Sequence, residues 1–372
     1  MSARVAIYTS GHGFGHAVRC AEVAAALLRR GAQVLVRTDA PAWLFPAQVR
    51  HLAGQSVDVG VTQHDGFEMD IDETRRRWAD FADVFDERAS REAALLREQR
   101  VDLVLGDVPP LAFAAAARVG VPGVALANFG WDWIYAAWPG FESAIACVQA
   151  AYRLTELLLR LPLHDPGEEA FPAFRAIEDV PLVARRAARP RQQVRRELGL
   201  SDEQRVVLLS FGGFEAGGLD LAALSRWREY LFIITPPLAR SAGLLPPNVR
   251  RVPEQPSDYV SLLAASDVVV TKPGYGIVAD ALANRVPVLF TDRGPFREYE
   301  VLANALLTLG PARYVPRADV LSGWLGPSLA ALSALPRRWA DLRVDGADLV
   351  ADRVIGLVTH GAQGRTVRQN VA

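Results

Sequence analysis

RVAIYTSGHGFGHAVRCAEVAAALLRRGAQVLVRT, residues 4–38, is the stretch that decides the fold. Its apolar, β-branched run Val5–Thr9 predicts a strand, and the helical periodicity of His16–Arg30 predicts a helix. Gln33–Thr38 then predicts a second strand. A strand, a helix and a strand in immediate succession form a βαβ unit, whose two strands lie parallel in one sheet.

The same alternation of short apolar runs and helical patterns continues along the chain. A charged helical segment, Asp70–Arg100, leads into the apolar strand Val101–Asp107, and the pattern later restarts with Arg205–Gly213 and Asp267–Thr271. Strands that alternate with helices predict a parallel sheet with helices on both faces. Because 372 residues exceed one ordinary core, we predict two doubly wound, Rossmann-like α/β domains, connected through the proline- and charge-rich residues 160–200.

Composition and charge argue against several classes of protein. The formal net charge of −1 shows no basic surplus for binding nucleic acid. Cys20 and Cys147 lack the paired spacing of a zinc site or a disulfide framework. The N-terminus runs straight into a strand, and the longest apolar region, residues 111–127, is interrupted by Arg118 and Pro122. Neither a signal peptide nor an integral membrane segment is predicted, and we expect a cytoplasmic protein.

The loop between the first strand and the first helix, SGHGFGH, carries three glycines and two histidines. Its backbone N–H groups and the helix N-terminus form a predicted site for an anion, in which we place Gly13 and Gly15. His16, at the helix start, is a candidate general base because histidine titrates near neutral pH. His12 lies four residues before His16, but we find no third ligand, so no metal site is predicted.

Asp107 ends the apolar strand VDLVLGD. Because the carboxyl ends of parallel strands share one edge of a sheet, its carboxylate can orient His16, as in hydrolase triads where a His–Asp pair activates a hydroxyl. Each residue has a plainer alternative. His16 can be a capping histidine in a glycine turn, and Asp107 can cap the end of its strand.

Two glycine-containing turns in the second half of the chain each follow a predicted strand. One carries Gly212-Gly213, and the other carries Gly274-Tyr275-Gly276 beside Lys272, the only lysine of the chain. Such turns at helix N-termini can hold the two phosphates of a nucleotide diphosphate, and Asp280, one helical turn further on, would face a ribose. Ordinary tight connections between strand and helix are the alternative.

The stretch NFGWDWIYAAW, residues 128–138, is dense in aromatic side chains. Their mixed spacing is more typical of core and interdomain packing than of a sugar platform. An aspartate among them is harder to explain as a core residue. We therefore take Trp131 and Asp132, together with His12, as candidate acceptor-binding residues.

Four longer stretches resemble one known family, in order and nearly end to end. They are TSGHGFGHAVRCAEV (9–23), GDVPPLAFAAAARVGVPGVALANFGWDWIYA (106–136), FRAIEDVPLVARRAARPRQQVRRELGL (174–200) and KPGYGIVADALANRVPVLFTDR (272–293). They are similar to the glycosyltransferase-like N-terminal region of plant-type L-arabinokinases and its free-standing bacterial relatives. More distantly, the chain resembles GT-B glycosyltransferases of the MurG and UDP-glycosyltransferase kind.

The resemblance implies a GT-B fold, in which two Rossmann-like domains face a central cleft. The first would bind the acceptor and the second the nucleotide-sugar. We place these domains at residues 1–185 and 186–345, and we expect the helix in residues 346–372 to pack back on the first domain.

The resemblance also implies roles for single residues. His16 matches the base position of inverting GT-B enzymes, and Asp107 matches the carboxylate that orients it. Matching positions in the donor-binding loops of the second domain are Gly213, Lys272, Gly274 and Gly276. Asp280 stands where a glutamate usually binds the ribose, and Ile277 stands where a hydroxyl residue often follows the second glycine.

We therefore expect an inverting transfer, without metal or other cofactor, from a nucleotide-diphosphate sugar, with UDP-sugar as the expected donor, to a hydroxyl of a small-molecule or glycan acceptor. Two alternatives stay open. GFGHAVRC (13–20) also resembles the G-x-G-H-x-x-R region of GT-B nucleotide-sugar hydrolases, in which His16 would activate water. A non-catalytic nucleotide-sugar-binding protein is the other alternative.

Overall fold

The chain forms two compact units in a computed structural model that describes residues 2–369, apart from 53, 55, 66, 213–216, 236–237, 239–242 and 253–257. The first unit comprises residues 1–62, 70–183 and 343–372, and the second comprises 63–69 and 184–342. These divisions lie near the boundaries placed after residues 185 and 345. The membership of 63–69 in the second unit was not anticipated from the sequence.

The first unit is built on a sheet in which seven parallel strands are described. They are β1 (Arg4–Thr9), β2 (Gln33–Arg37), β3 (Arg50–Leu52), β4 (Leu103–Asp107), β5 (Gly123–Ala127), β6 (Leu157–Arg160) and β7 (Ile177–Asp179). Their order is β3-β2-β1-β4-β5-β6-β7. The sequence assigned residues 160–200 to a connection, but β7 pairs with β6 in this sheet, so the first part of that stretch is sheet rather than linker.

Helices connect the strands of the first unit, as the periodicity predicts. They are α1 (Phe14–Arg29), α2 (Ile71–Asp83), α3 (Phe85–Glu98), α4 (Pro110–Val119), α5 (Trp131–Tyr135) and α6 (Glu142–Tyr152). The helical segment predicted over residues 70–100 is divided at Val84, whose φ of −110° and ψ of 5° lie outside the α-helical range. Asp70 caps α2 by accepting a hydrogen bond from the Glu73 backbone N–H.

The second unit repeats the architecture with a sheet of six described parallel strands. They are β8 (Arg205–Leu209), β9 (Tyr230–Ile234), β10 (Val249–Arg251), β11 (Val268–Thr271), β12 (Val288–Phe290) and β13 (Ala312–Tyr314), in the order β10-β9-β8-β11-β12-β13. Its described helices include α7 (Arg191–Glu197), α8 (Tyr259–Ala265), α9 (Tyr275–Ala283), α10 (Glu298–Leu309), α11 (Arg317–Leu321) and α12 (Gly326–Ser333).

The chain returns to the first unit through the C-terminal helix α13 (Gly346–Gln369). Arg30, directly after α1, donates hydrogen bonds to the carboxylates of Asp348 and Asp352 in the first turns of α13. These charged contacts fasten α13 to α1 within the unit. In the part of the chain that the structure describes, no helix is both long enough and apolar enough to span a membrane.

Strand order reverses at one place in each sheet, between β1 and β4 in the first and between β8 and β11 in the second. Loops that leave neighbouring strands at such a switch point diverge to opposite faces and open a crevice at the carboxyl ends of the strands. The prediction of two doubly wound parallel-sheet domains is confirmed. In each unit, a ligand site is therefore expected at the switch point.

Candidate functional site

His16 and Asp107 lie together at the switch point of the first sheet. Gly13 caps α1 with a φ of 70°, a backbone conformation that favours glycine, and Gly15 and His16 follow in the first turn. Asp107 is the last residue of β4. His16 Nδ1 lies 3.0 Å from Asp107 Oδ1, and both side chains are buried. If Nδ1 donates its proton to Asp107, Nε2 is left with the lone pair that a general base requires.

A third charged side chain, Arg19, belongs to the same cluster. Its Nε donates to Asp107 Oδ2 at 2.6 Å, and its Nη2 donates to Asp107 Oδ1. Nη1 donates to Asn128 Oδ1 at 2.6 Å, and Nη2 also lies 3.0 Å from His16 Nδ1. Sequence reasoning gave Arg19 no role, although the i, i+3 spacing from His16 places both on one face of α1.

These contacts fix both the charge and the orientation of Asp107. Burial by itself would raise the pKa of the Asp107 carboxyl, but the charges of Arg19 and His16 hold that pKa well below its usual range. Burial raises the pKa of the Cys20 thiol, which stays protonated and lies 3.3 Å from Asp107 Oδ2 as a donor. Asp107 is therefore an ionised carboxylate with donors on both oxygens.

Asp58 is a second buried carboxylate near His16 that sequence reasoning missed. Its Oδ1 accepts a hydrogen bond from Ser10 Oγ at 3.0 Å, and its Oδ2 accepts one from Trp131 Nε1 at 2.9 Å. Burial raises the pKa of Asp58 to about 6, although the charge of His16 and the two hydrogen bonds act in the opposite direction. The stretch VDVGV, residues 57–61, carries no motif, so its pattern gave no signal.

The candidate acceptor-binding residues lie in the same unit and are largely enclosed. Trp131 is fully buried, stacks on Tyr135 with ring centroids 5.5 Å apart, and lies 6.1 Å from the ring centroid of His16. The edge of His12 meets Trp131 at 5.8 Å. Asp132 is buried, and burial raises its pKa to about 6. Trp131 thus packs in the core, as the plainer alternative supposed, while its Nε1 holds Asp58 in place.

Lys272 directly follows β11 at the switch point of the second sheet. Burial lowers the pKa of Lys272 to about 6, the charge of Arg293 acts in the same direction, and the charge of Asp65 opposes them. Arg293, after the neighbouring β12, is itself buried and donates to Glu298 Oε2 at 2.9 Å. Two buried basic side chains therefore follow adjacent strands at the carboxyl edge of this sheet.

The glycine turns of the second unit are placed as the sequence predicts around this edge, as far as they are described. Gly274 is the N-cap of α9, and Tyr275 and Gly276 are its first two residues. Tyr275 is buried in the unit. Gly212 follows β8 with a φ of 75°, whereas Gly213 lies outside the described residues.

Asp280 in α9 is engaged by Arg185. Its Oδ1 accepts a hydrogen bond from the Arg185 backbone N–H at 2.8 Å, and its Oδ2 accepts from Arg185 Nε at 3.0 Å and Nη2 at 2.6 Å. This pair fastens the start of the second unit to α9. Ribose binding by Asp280 stays a prediction, and it would require this ion pair to open. Within the described ranges, no group of three or more His, Cys, Asp or Glu side chains is arranged to hold a metal ion.

Comparison with known proteins gives two relatives in sequence, while no family model matches the chain. L-arabinokinase of Arabidopsis thaliana is 35% identical over 334 residues, which cover 87% of this chain and 31% of that protein. Chloroplastic monogalactosyldiacylglycerol synthase of Spinacia oleracea is 25% identical over 169 residues, covering 40% of this chain and 32% of that protein. The chain thus spans about a third of the length of these relatives.

Solved glycosyltransferase structures match the chain over nearly its whole length. SnogD from Streptomyces nogalater has a TM-score of 0.59 at 19% identity and covers 96% of this chain and 100% of its own. The forosaminyltransferase SpnP has a TM-score of 0.63 at 16% identity, with the same coverage. The protein has the GT-B fold. The glycosyltransferase VinC, solved in complex with dTDP, has a TM-score of 0.56 at 17% identity and covers 98% of each chain.

Both parts of the predicted resemblance are confirmed: homology with L-arabinokinase and the GT-B fold. In this GT-B protein each unit carries buried ionisable side chains at the carboxyl edge of its own sheet. The first unit has His16, Asp107 and Arg19, and the second has Lys272 and Arg293.

Proposed function

We propose that this GT-B protein is an inverting glycosyltransferase, which moves a sugar from a nucleotide-diphosphate sugar, with UDP-sugar first among the candidates, to a hydroxyl acceptor. The contact between His16 Nδ1 and Asp107 Oδ1 at the first switch point carries the proposal, because it provides an oriented base. The similarity to glycosyltransferase structures, one of them bound to dTDP, supports it.

On the acceptor side, the chemistry starts with the imidazole of His16. Asp107 accepts the Nδ1–H, so that Nε2 removes the proton of the acceptor hydroxyl while its oxygen attacks the anomeric carbon. The imidazolium that forms is stabilised by two carboxylates. Asp107 touches it directly, and Asp58 acts on it through its charge.

On the donor side, the bond between the anomeric carbon and the diphosphate oxygen breaks, and its electron pair leaves with the nucleoside diphosphate. We assign stabilisation of this leaving group to Lys272 and to the backbone N–H groups at the start of α9, around Gly274 and Gly276. Gly212, at the other side of the switch point, adds backbone that a phosphate can approach closely.

Binding of the donor should take up a proton at Lys272. Without an anion, burial and then Arg293 lower the pKa of Lys272 to about 6, so its amine is largely neutral at pH 8. A bound diphosphate favours the ammonium form and raises that pKa. Affinity for a nucleotide-sugar, whose diphosphate does not titrate in this range, should therefore rise as pH falls from about 8 to about 6, by at most about tenfold per pH unit for one proton.

Titration calorimetry in two buffers of different ionisation enthalpy measures this proton uptake. Lys272→Met is the matched variant, and it should bind the donor weakly and without the pH dependence. Wild-type affinity that does not change between these pH values would contradict a diphosphate site at Lys272.

The reaction itself is tested by incubating the protein with UDP-, dTDP- and GDP-sugars, with and without hydroxyl acceptors, and measuring nucleoside diphosphate, free sugar and glycoside. We expect nucleoside diphosphate to appear only when an acceptor is present, together with the glycoside. Free sugar formed without an acceptor would instead identify a nucleotide-sugar hydrolase. Binding without turnover would identify a non-catalytic nucleotide-sugar-binding protein.

A further inference from the structure

Residues 63–69 belong to the second unit, although the chain on both sides of them belongs to the first. Phe67 anchors the segment in the core of the second unit, where it is 3% exposed. Its ring centroid lies 5.5 Å from that of Phe211, and the guanidinium of Arg317 lies 5.3 Å over its ring. Its carbonyl oxygen lies 3.0 Å from the position that a Cβ on Gly294 would occupy.

These contacts place the segment at the edge of the second sheet where the carboxyl ends of its strands lie. Phe211 follows β8, and Gly294 follows β12, so both lie beyond the carboxyl ends of their strands. Ligands of doubly wound sheets bind at that edge. The segment is therefore part of the surroundings of any ligand that binds beside Lys272.

Within the segment, Asp65 is held in one orientation by the backbone. Its Oδ1 accepts hydrogen bonds from the N–H groups of Phe67 at 2.7 Å and Glu68 at 2.9 Å. Gln63 and Met69 form an antiparallel bridge that closes the turn. Such a carboxylate is oriented before any ligand arrives, which favours binding because little further ordering is needed.

The second oxygen of Asp65 points to Gly217. Oδ2 lies 2.9 Å from the position that a Cβ on Gly217 would occupy, so an alanine there would have to displace this oxygen. Asp65 also acts on Lys272, since its charge favours the ammonium form. The charge of this fixed carboxylate thus reaches the amine of Lys272, to which we assign the diphosphate.

A carboxylate does not suit a phosphate, because the two anions repel each other. It does suit hydroxyl groups, which donate strong hydrogen bonds to an ionised oxygen. On a nucleotide-sugar two hydroxyl-bearing rings flank the diphosphate, the ribose and the glycosyl ring. We predict Asp280 as the partner of the ribose, which leaves the glycosyl ring for Asp65. The nucleoside diphosphate that remains after transfer lacks that ring and carries more negative charge.

We propose that Asp65 determines donor specificity by accepting hydrogen bonds from hydroxyls of the glycosyl group whose diphosphate binds at Lys272. This inference rests on the proposed function. Asp65 attracts the nucleotide-sugar through its hydroxyls and repels the nucleoside diphosphate through its charge. It therefore favours the substrate over the product at one site.

Asp65→Asn tests this role, because the amide oxygen keeps the acceptor that the turn uses while the charge is lost. Calorimetry with the nucleotide-sugar that the protein binds and with the matching nucleoside diphosphate gives two dissociation constants for each variant. We expect Asp65→Asn to bind the nucleotide-sugar at least about tenfold more weakly than the wild type does. It should bind the nucleoside diphosphate as tightly as the wild type or more tightly. Glu68→Gln removes the same charge from an exposed position in the segment and should change neither constant.

Gly217→Ala supplies a second, independent variant, because its methyl group would displace Oδ2. It should reproduce the selective loss of nucleotide-sugar affinity, with circular dichroism confirming that each variant is folded. A ratio of the two constants that stays at the wild-type value in Asp65→Asn would overturn the inference alone. Wild-type protein that binds neither nucleotide would overturn the proposed function, and this inference with it.

Discussion

His16→Ala should lower kcat by about 10²- to 10⁴-fold and leave the affinity for the nucleotide unchanged. The imidazole is the one base that the proposed mechanism uses, and its Nδ1 contact with Asp107 leaves Nε2 for the acceptor proton. The nucleotide is assigned to the second unit, at Lys272, so removal of a side chain of the first unit should not weaken nucleotide binding. Steady-state kinetics with a saturating donor, combined with calorimetry, measures both quantities.

Two further variants separate proton acceptance from packing. His16→Gln keeps a polar side chain that can bond Asp107 but that accepts no proton, so it should be nearly as slow as His16→Ala. His12→Ala removes a neighbouring histidine of the same loop, which meets Trp131 and accepts from the Val61 backbone N–H at 3.4 Å. We expect it to raise the KM for the acceptor with little change in kcat.

A kcat for His16→Gln close to the wild-type value would remove His16 from the chemistry and leave it a structural partner of Asp107 and Arg19. Loss of nucleotide affinity in the same variant would instead show that His16 serves donor binding. The proposed mechanism predicts neither of these outcomes. The two measurements therefore distinguish a base from both of the roles that a histidine at this position could otherwise have.

The fold was predictable because local periodicity agrees with the global arrangement. Residues 4–38 form β1, α1 and β2 within two residues of the predicted bounds. The uninterrupted apolar run that contains β4 predicted a strand covered on both faces, and β4 is buried along its length. The membership of segment 63–69 in the second unit could not be predicted from local periodicity. Its place depends on Phe67 packing in a core formed by residues that are distant in sequence.

The candidate site was predictable where it depends on strand ends and a glycine loop. His16 and Asp107 follow from that rule, since the ends of β1 and β4 are neighbours at the switch point. Arg19 and Asp58 could not be assigned, because a buried arginine or aspartate has no pattern of its own until its partners are known. Asp280 was assigned a ligand from its position, but its partner in the protein was missed, because Arg185 lies in a stretch interpreted as a connection.

Arg19→Met should lower the free energy of unfolding by about 3–5 kcal/mol, because it leaves Asp107 buried without its countercharge. Asp107 is 0% exposed and, among the described residues, would keep His16 and Cys20 as its side-chain donors. Arg19→Met with Asp107→Asn removes both charges and should recover much of the loss, since replacing a whole buried pair costs far less than breaking it. Urea titrations of the wild type, both single variants and the double variant measure the coupling.

Arg19→Lys separates the charge of this side chain from its hydrogen bonds. A lysine keeps a positive charge for Asp107 but cannot reproduce the bonds that the guanidinium donates to both carboxylate oxygens. We therefore expect Arg19→Lys to be less stable than the wild type but more stable than Arg19→Met in the same urea titrations. An Arg19→Lys variant as unstable as Arg19→Met would show that the hydrogen bonds of the guanidinium, and not its charge, offset the burial of Asp107.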